Sequence, residues 1–193
     1  GLVYLDLASF AIDSQGRFWL GGAYPKGCLQ VYDPEIGLVK YREWLDSFGN
    51  DEIVSINKIQ IGEDIAFALY QGATSGDLGI LRFELDENDL PEYQDYYSDF
   101  TEETITEIRD LDIFQDSIYV TTDQGIFVGN YTDNLKLSDK WEKIDDDDFA
   151  GNSVIQFLPG SSPIILGDGS IYHREAGNWE AYCTFTGNII QAR

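Results

Sequence analysis

Few residues in this 193-residue chain have the types and spacing that chemistry requires. There is one histidine, His173, so a Ser-His-Asp triad or a His-rich metal site would have to be built on it. Its neighbours Tyr172 and Arg174 have the pattern of a strand surface. The run Asp145 to Asp148 sets four carboxylates side by side, which repel one another unless screened or paired with a cation. It lacks the Gly at the sixth position and the bidentate Glu of an EF-hand loop, and reads as a solvated loop with weak Ca²⁺ binding as the alternative. Cys28 and Cys183 stand beside Leu29 and Tyr182 at ordinary strand positions and read as buried free thiols. Their pairing in an oxidising compartment is the alternative, but two cysteines are no disulfide framework. Asn130-Tyr131-Thr132 fits the N-glycosylation pattern, a tripeptide that arises often by chance. No phosphate-binding loop, Cys-x-x-Cys pair or set of paired carboxylates on facing strands is present. No catalytic or cofactor-binding residue is therefore assigned and no cofactor is expected, with Ca²⁺ at Asp145 to Asp148 as the one metal candidate.

Charge narrows the partners further. Thirty-five acids face 12 bases, for a net charge of −23. Such a surface repels phosphate backbones and anionic lipid, so nucleic acid is not an expected partner, while cations and basic proteins are compatible with it. A solvated, aggregation-resistant surface is the plainer explanation. No apolar run approaches the roughly 18 residues of a membrane helix, and membrane insertion is not expected. No leader with a basic start, apolar centre and small-residue end opens the chain, so no signal peptide is expected within it.

Whatever site the chain holds must be positioned by its strands, and these recur. A polar turn, a short apolar strand and a Gly-containing turn appear as "DSQGRFWLGG" (13–22), "GEDIAFALYQG" (62–72), "FQDSIYVTTDQG" (114–125) and "GSSPIILGDG" (160–169). A second strand follows each: "CLQVYD", "GILRFEL", "GIFVGN" and "SIYHRE". A third element is sharper, with "YREWLDSFGNDEI" (41–53) matching "YQDYYSDFTEETI" (93–105), then "WEKIDDDDFAGNSV" (141–154) and "WEAYCTFTGNII" (179–190). An aromatic opens each, a large residue stands three positions on (Trp44, Tyr96, Ile144, Tyr182), and a Phe follows (Phe48, Phe100, Phe149, Phe185). Five residues after each Phe come Ile53, Ile105, Val154 and Ile190, each expected to open the next unit's first strand.

The unit is thus four short antiparallel strands, A to D, repeated about every 50 residues, which is the signature of β-propeller blades. The expected fold is all-β, with approximate blades at 1–50, 51–102, 103–151 and 152–187 and the start of a fifth strand set at 188–193. The 193 residues are read as a segment of one propeller of seven or eight blades, with a closed four-bladed ring as the alternative. Strand B should be buried on both faces, and the glycines that bracket it are read as hairpin punctuation.

"FAIDSQGRFWLGG" with "GCLQVYDPEIG" resembles the two-component-regulator propeller repeat, in which an Asp-x-x-Gly turn precedes a Trp-containing strand and a Gly-led strand ends in Asp. "SIYVTTDQGIFVGN" is similar to it in part; the second and fourth units lack the Trp and the Asp-x-x-Gly turn. That family occurs in periplasmic sensor regions of bacterial hybrid histidine kinases and in surface proteins linked to type IX secretion. The resemblance implies a non-enzymatic module, periplasmic or extracellular, that binds a protein, glycan or envelope component through a propeller face. It carries over no catalytic residue, and nothing in the chain copies the central His and metal of propeller lyases. The alternative is a propeller enzyme, a lyase or hydrolase, with catalytic residues mainly on blades outside this sequence.

Strand direction adds one expectation. The B–C and D–A connections leave an antiparallel blade on the same side, and there stand Asp46, Asp51, Glu52, Asp77, Asp99, Glu102, Glu103, Asp123, Asp145 to Asp148 and Asp168, with Lys26 as the one base. A field so one-sided would attract cations or a basic partner at low salt.

Overall fold

The computed structural model describes residues 1–24, 26–43, 53–74, 76–102, 104–144, 154–167, 169–175 and 178–184. Sixteen strands form among them, in four separate antiparallel sheets of four. The first sheet holds β1 (Asp6–Ile12), β2 (Phe18–Tyr24), β3 (Cys28–Asp33) and β4 (Gly37–Glu43). The second holds β5 (Ile53–Ile61), β6 (Ile65–Gly72), β7 (Leu78–Leu85) and β8 (Pro91–Tyr97). The third holds β9 (Ile108–Phe114), β10 (Ser117–Thr122), β11 (Gly125–Asn130) and β12 (Trp141–Ile144). The fourth holds β13 (Val154–Leu158), β14 (Ile164–Gly167), β15 (Ser170–Glu175) and β16 (Asn178–Thr184). Each sheet is a plain meander in chain order, as the repeat requires. Among the described residues helix is confined to one 3₁₀ turn, Ser138–Lys140, and no helix is long and apolar enough to cross a membrane. The expected strand at 188–193 lies outside the described residues.

The chain divides into two compact units, Gly1–Asp99 and Phe100–Arg193. In the first, the first and second sheets pack face to face. Trp19, Leu29 and Val31 meet Ile53, Ile56, Ile59, Ala66, Ala68, Tyr70, Leu81 and Phe83. Every residue of β6 from Ile65 to Tyr70 is buried, which is why "IAFALY" reads as a continuous apolar run. In the second unit, Ile126 of the third sheet meets Val154, Phe157, Ile165, Tyr172 and Trp179 of the fourth, with Tyr119 and Ile144 against them.

Three local readings change. Gly21 and Gly22 lie inside β2 rather than in a turn. A Cβ on Gly21 would stand 2.5 Å from the Ile56 carbonyl oxygen, so this glycine permits close approach of two sheets. The positive-φ turn role is held instead by glycines such as Gly16 (φ 79°), before β2, and Gly125 (φ 122°), at the tight turn into β11. Ile105 does not open strand A; β9 begins at Ile108. The Asp123 carboxylate accepts the amides of Thr106 (3.1 Å) and Glu107 (3.2 Å) and the Thr106 hydroxyl (2.7 Å), so the donors that would extend the ladder are taken. The repeated aromatic opens strand D only in the later units, at Trp141 and one residue in at Trp179; Tyr41 and Tyr93 fall mid-strand in β4 and β8.

Of the four repeated Phe residues the structure describes Phe100, which is buried and set edge-on against Trp141 at 4.8 Å between ring centroids. Adjacent sheets are also tied by polar bonds from strand A to the next strand A. The Ser9 hydroxyl donates to the Ile56 carbonyl (2.7 Å), and Arg109 Nη1 donates to the Val154 carbonyl (2.7 Å).

Candidate functional site

Among the described residues, those singled out from sequence do not assemble into a centre. His173 is half-buried on β15, with Nε2 3.3 Å from Glu175 Oε2 and its ring edge-on to Tyr182. No group of three or more His, Cys, Asp or Glu side chains able to hold a metal occurs among the described residues. Asp145 to Asp148 lie outside them. Cys28 and Cys183 are free thiols; Cys28 is buried in β3, as expected, and Cys183 is half-buried in β16. Asn130 is exposed at the end of β11 and accepts from the Thr132 amide (2.9 Å) and hydroxyl (2.7 Å). On the acidic side of the blades, Asp46, Asp51, Glu52, Glu103 and Asp168 also lie outside the described residues. Asp123, which is described, is occupied in building its own turn. Burial raises its pKa, and its hydrogen bonds from Thr106, Glu107 and Gln124 outweigh burial and hold it below the ordinary value.

Two polar arrangements stand where one sheet packs on the next. The first is a clamp in the Gly1–Asp99 unit. Asp13 opens the A–B turn, and its carboxylate accepts the amides of Gln15 (3.0 Å) and Arg17 (2.9 Å), Arg17 Nε (2.7 Å) and Trp19 Nε1 (3.0 Å). The Arg17 guanidinium continues to the β7–β8 hairpin of the second sheet, giving Nη1 to the Asn88 carbonyl (2.8 Å) and Nη2 to the Asp89 carbonyl (2.7 Å). Asp13, Arg17 and Trp19 are all buried. Burial raises the Asp13 pKa, but the bonds from Trp19 and Arg17 and the Arg17 charge outweigh it and keep the carboxyl below its ordinary value. Charge and donors are matched, and nothing is left for a ligand.

The second lies in the Phe100–Arg193 unit, between the third and fourth sheets. Here Tyr119 takes the repeat position of Trp19, and the A–B turn shortens to Gln115 and Asp116, with Gln115 at φ 53°. No Asp-x-x-Gly-Arg loop enters. Asp116 instead accepts from the Tyr131 hydroxyl (3.4 Å). The place is a cavity of about 730 Å³. Buried Phe157 and Trp179 form part of its wall, and half-buried Tyr119 stacks on Phe157 with ring centroids 4.7 Å apart and an interplanar angle of 26°. Glu142, Lys143 and Arg174 supply its charged groups. Arg174 stands beside the β15–β16 hairpin, the counterpart of the hairpin that Arg17 grips, with its guanidinium carbon 6.0 Å from the Trp179 ring centroid. Burial raises the pKa of the Tyr119 phenol, opposed by the Arg174 charge, so the hydroxyl is a donor at neutral pH.

Sequence reasoning placed Arg174 on a strand surface and did not find the cavity. The available signal was the missing Asp-x-x-Gly turn before β10, which removes the side chain that fills the corresponding place in the first unit.

No family model matches the chain, and no curated protein matches it. Solved structures do. PorZ, an essential bacterial surface component of the type-IX secretion system of Porphyromonas gingivalis, is similar over 96% of this chain and 23% of its own, at 18% identity and a TM-score of 0.65. The extracellular domain of B. thetaiotaomicron BT4673, named a one component system, is similar over 93% of this chain and 22% of its own, at 14% identity and TM-score 0.57. The WD40 domain of SCAP from fission yeast is similar over 95% of this chain and 42% of its own, at 12% identity and TM-score 0.53. The chain spans about a quarter of the length of the first two. At these identities the likeness is one of fold, and the fold is of the β-propeller type: four four-stranded antiparallel blades.

Proposed function

We propose that the chain is a non-enzymatic, extracytoplasmic recognition module, part of a propeller of seven or eight blades, and that it binds a glycan, peptide or other envelope component in the cavity between its third and fourth blades. The observation that carries the reading is the contrast between the two junctions: one is filled by the chain's own Asp13 and Arg17, the other is open and lined by aromatic rings and three charged side chains. Aromatic walls with a few convergent polar groups are the usual make-up of a small-molecule site. The extracytoplasmic setting is supported by the propeller repeat in the first unit and by what PorZ and the BT4673 domain are named for, a surface component and an extracellular domain. The test is an amide NMR titration of the chain with a panel of envelope glycans and peptides. Shifts confined to the cavity-lining strands, chiefly β10, β12, β13, β15 and β16, are expected; saturable binding that maps elsewhere overturns the assignment.

A further inference from the structure

Five of the large hydrophobic side chains that the chain exposes, Val3, Leu5, Leu7, Phe10 and Ile12, come within its first twelve residues. Phe10 and Ile12 are 60% and 55% exposed. They alternate along β1 with Ser9 and Ala11, which meet the second sheet, so they belong to the opposite face of the first sheet. Such a run of exposed apolar side chains marks a surface built to be covered.

Strand register identifies what covers its counterpart. Across β1, β2 and β3 one row of that face runs Ile12, Phe18, Tyr32 and the next Phe10, Leu20, Gln30. Across β5, β6 and β7 the matching rows, counted from the A–B turn, are Ile61, Ala66, Phe83 and Ile59, Ala68, Leu81. The first sheet lies over these second-sheet rows and puts Trp19, Leu29 and Val31 into one core with them. Strand A also bulges at the same point in three sheets, between Leu7 and Ser9, between Ile56 and Lys58, and between Val154 and Gln156. In the two junctions the structure shows, the carbonyl just before the bulge is where the preceding blade bonds: Ile56 accepts from Ser9 and Val154 from Arg109. Its counterpart on the first sheet is the Leu7 carbonyl. The one polar member of the two first-sheet rows besides Tyr32 is Gln30, and the chain satisfies it internally. Its Oε1 accepts the amides of Val3 (2.7 Å) and Tyr4 (3.3 Å), and its Nε2 donates to the Tyr4 carbonyl (3.0 Å).

We propose that this face is the seat of a further blade of the same polypeptide, outside the 193 residues, on the reading that the chain is part of a larger propeller. The observed junction states the chemistry of the occupant. It brings a strand-B aromatic to meet Phe10 and Ile12, apolar side chains from strand C, and a strand-A hydroxyl or guanidinium for the Leu7 carbonyl. A second copy of the chain fits less well, because two chains of charge −23 repel, whereas a covalently joined blade is held at high local concentration.

The experiment compares maleimide labelling of this face in the 193-residue chain and in the full product of its own gene. Phe10→Cys and Ile12→Cys are made one at a time in each, with Cys183→Ser to remove the half-buried native thiol, and labelling is followed by peptide mass spectrometry. Both positions should label as exposed thiols in the 193-residue chain and about tenfold more slowly or worse in the full protein. Equal rates in the two proteins, where the gene does encode further four-strand repeats, overturn the seat and leave the larger propeller standing. A gene that encodes no further repeat removes both readings. Protection already present in the 193-residue chain at every concentration means that the chain closes on itself, and also removes both. Protection that grows with its concentration assigns the face to a second copy and overturns the covalent occupant.

Discussion

The blade junctions of the two units are built on one plan and finished differently. In both, a strand-B aromatic (Trp19 or Tyr119) leans on strand A of the next sheet, and a strand-A side chain (Ser9 or Arg109) bonds a carbonyl of the next strand A. At the end where the A–B turn meets the next blade's C–D hairpin they part. The first unit inserts Arg17, locks it with Asp13 and spends every donor on the chain itself. The second has a two-residue turn and leaves a cavity. A repeat protein can thus leave one junction filled and the next open by shortening one turn, because each repeat contacts only its neighbours.

The sharpest way to break this comparison is to remove the clamp. Asp13→Ala strands a buried guanidinium and an indole N–H, and a loss of about 3–5 kcal/mol is expected in urea unfolding followed by tryptophan fluorescence. A loss under about 1 kcal/mol would mean that the clamp is ornamental. The pairing itself comes next. In a double-mutant cycle of Asp13→Ala and Arg17→Ala, the two changes should cost less together than summed, with a coupling of about 1–3 kcal/mol. Additive costs would show that the two side chains act separately.

The pH dependence of the clamp follows from its sign. Asp13 has a folded pKa below its unfolded value, so its contribution is complete above the ordinary carboxylate range and is lost as pH falls through the folded pKa. The acid limb of the stability profile should therefore flatten in Asp13→Asn relative to the parent, once the difference at neutral pH is subtracted. Parallel profiles would assign the acid sensitivity to other carboxylates. The smallest effect tests the open junction: Arg174 is exposed, and Arg174→Ala should change stability by no more than about 0.5 kcal/mol. A cost near that of Arg17→Ala would make Arg174 a second clamp and erase the contrast.

Strand count, blade order and the aromatic cores were legible in the sequence because they depend on short-range pattern. Apolar runs such as "IAFALY" and the tight turn at Gly125 are local signals, and a period of about 50 residues repeats them; the Phe-to-aliphatic spacing misled at Ile105, which precedes β9. The role of Gly21 was not legible, since a glycine beside a strand looks like a turn until the Ile56 carbonyl is seen against it. The turn residues that separate the clamp from the cavity stand in the sequence, but what each one meets was decided by the tertiary structure. Arg17 meets its acceptors 71 and 72 residues away, and Tyr119, Phe157, Arg174 and Trp179 converge from four strands of two sheets. A one-dimensional pattern records which side chains a blade offers. Whether the next blade answers with a carbonyl or with open space depends on how the two sheets pack.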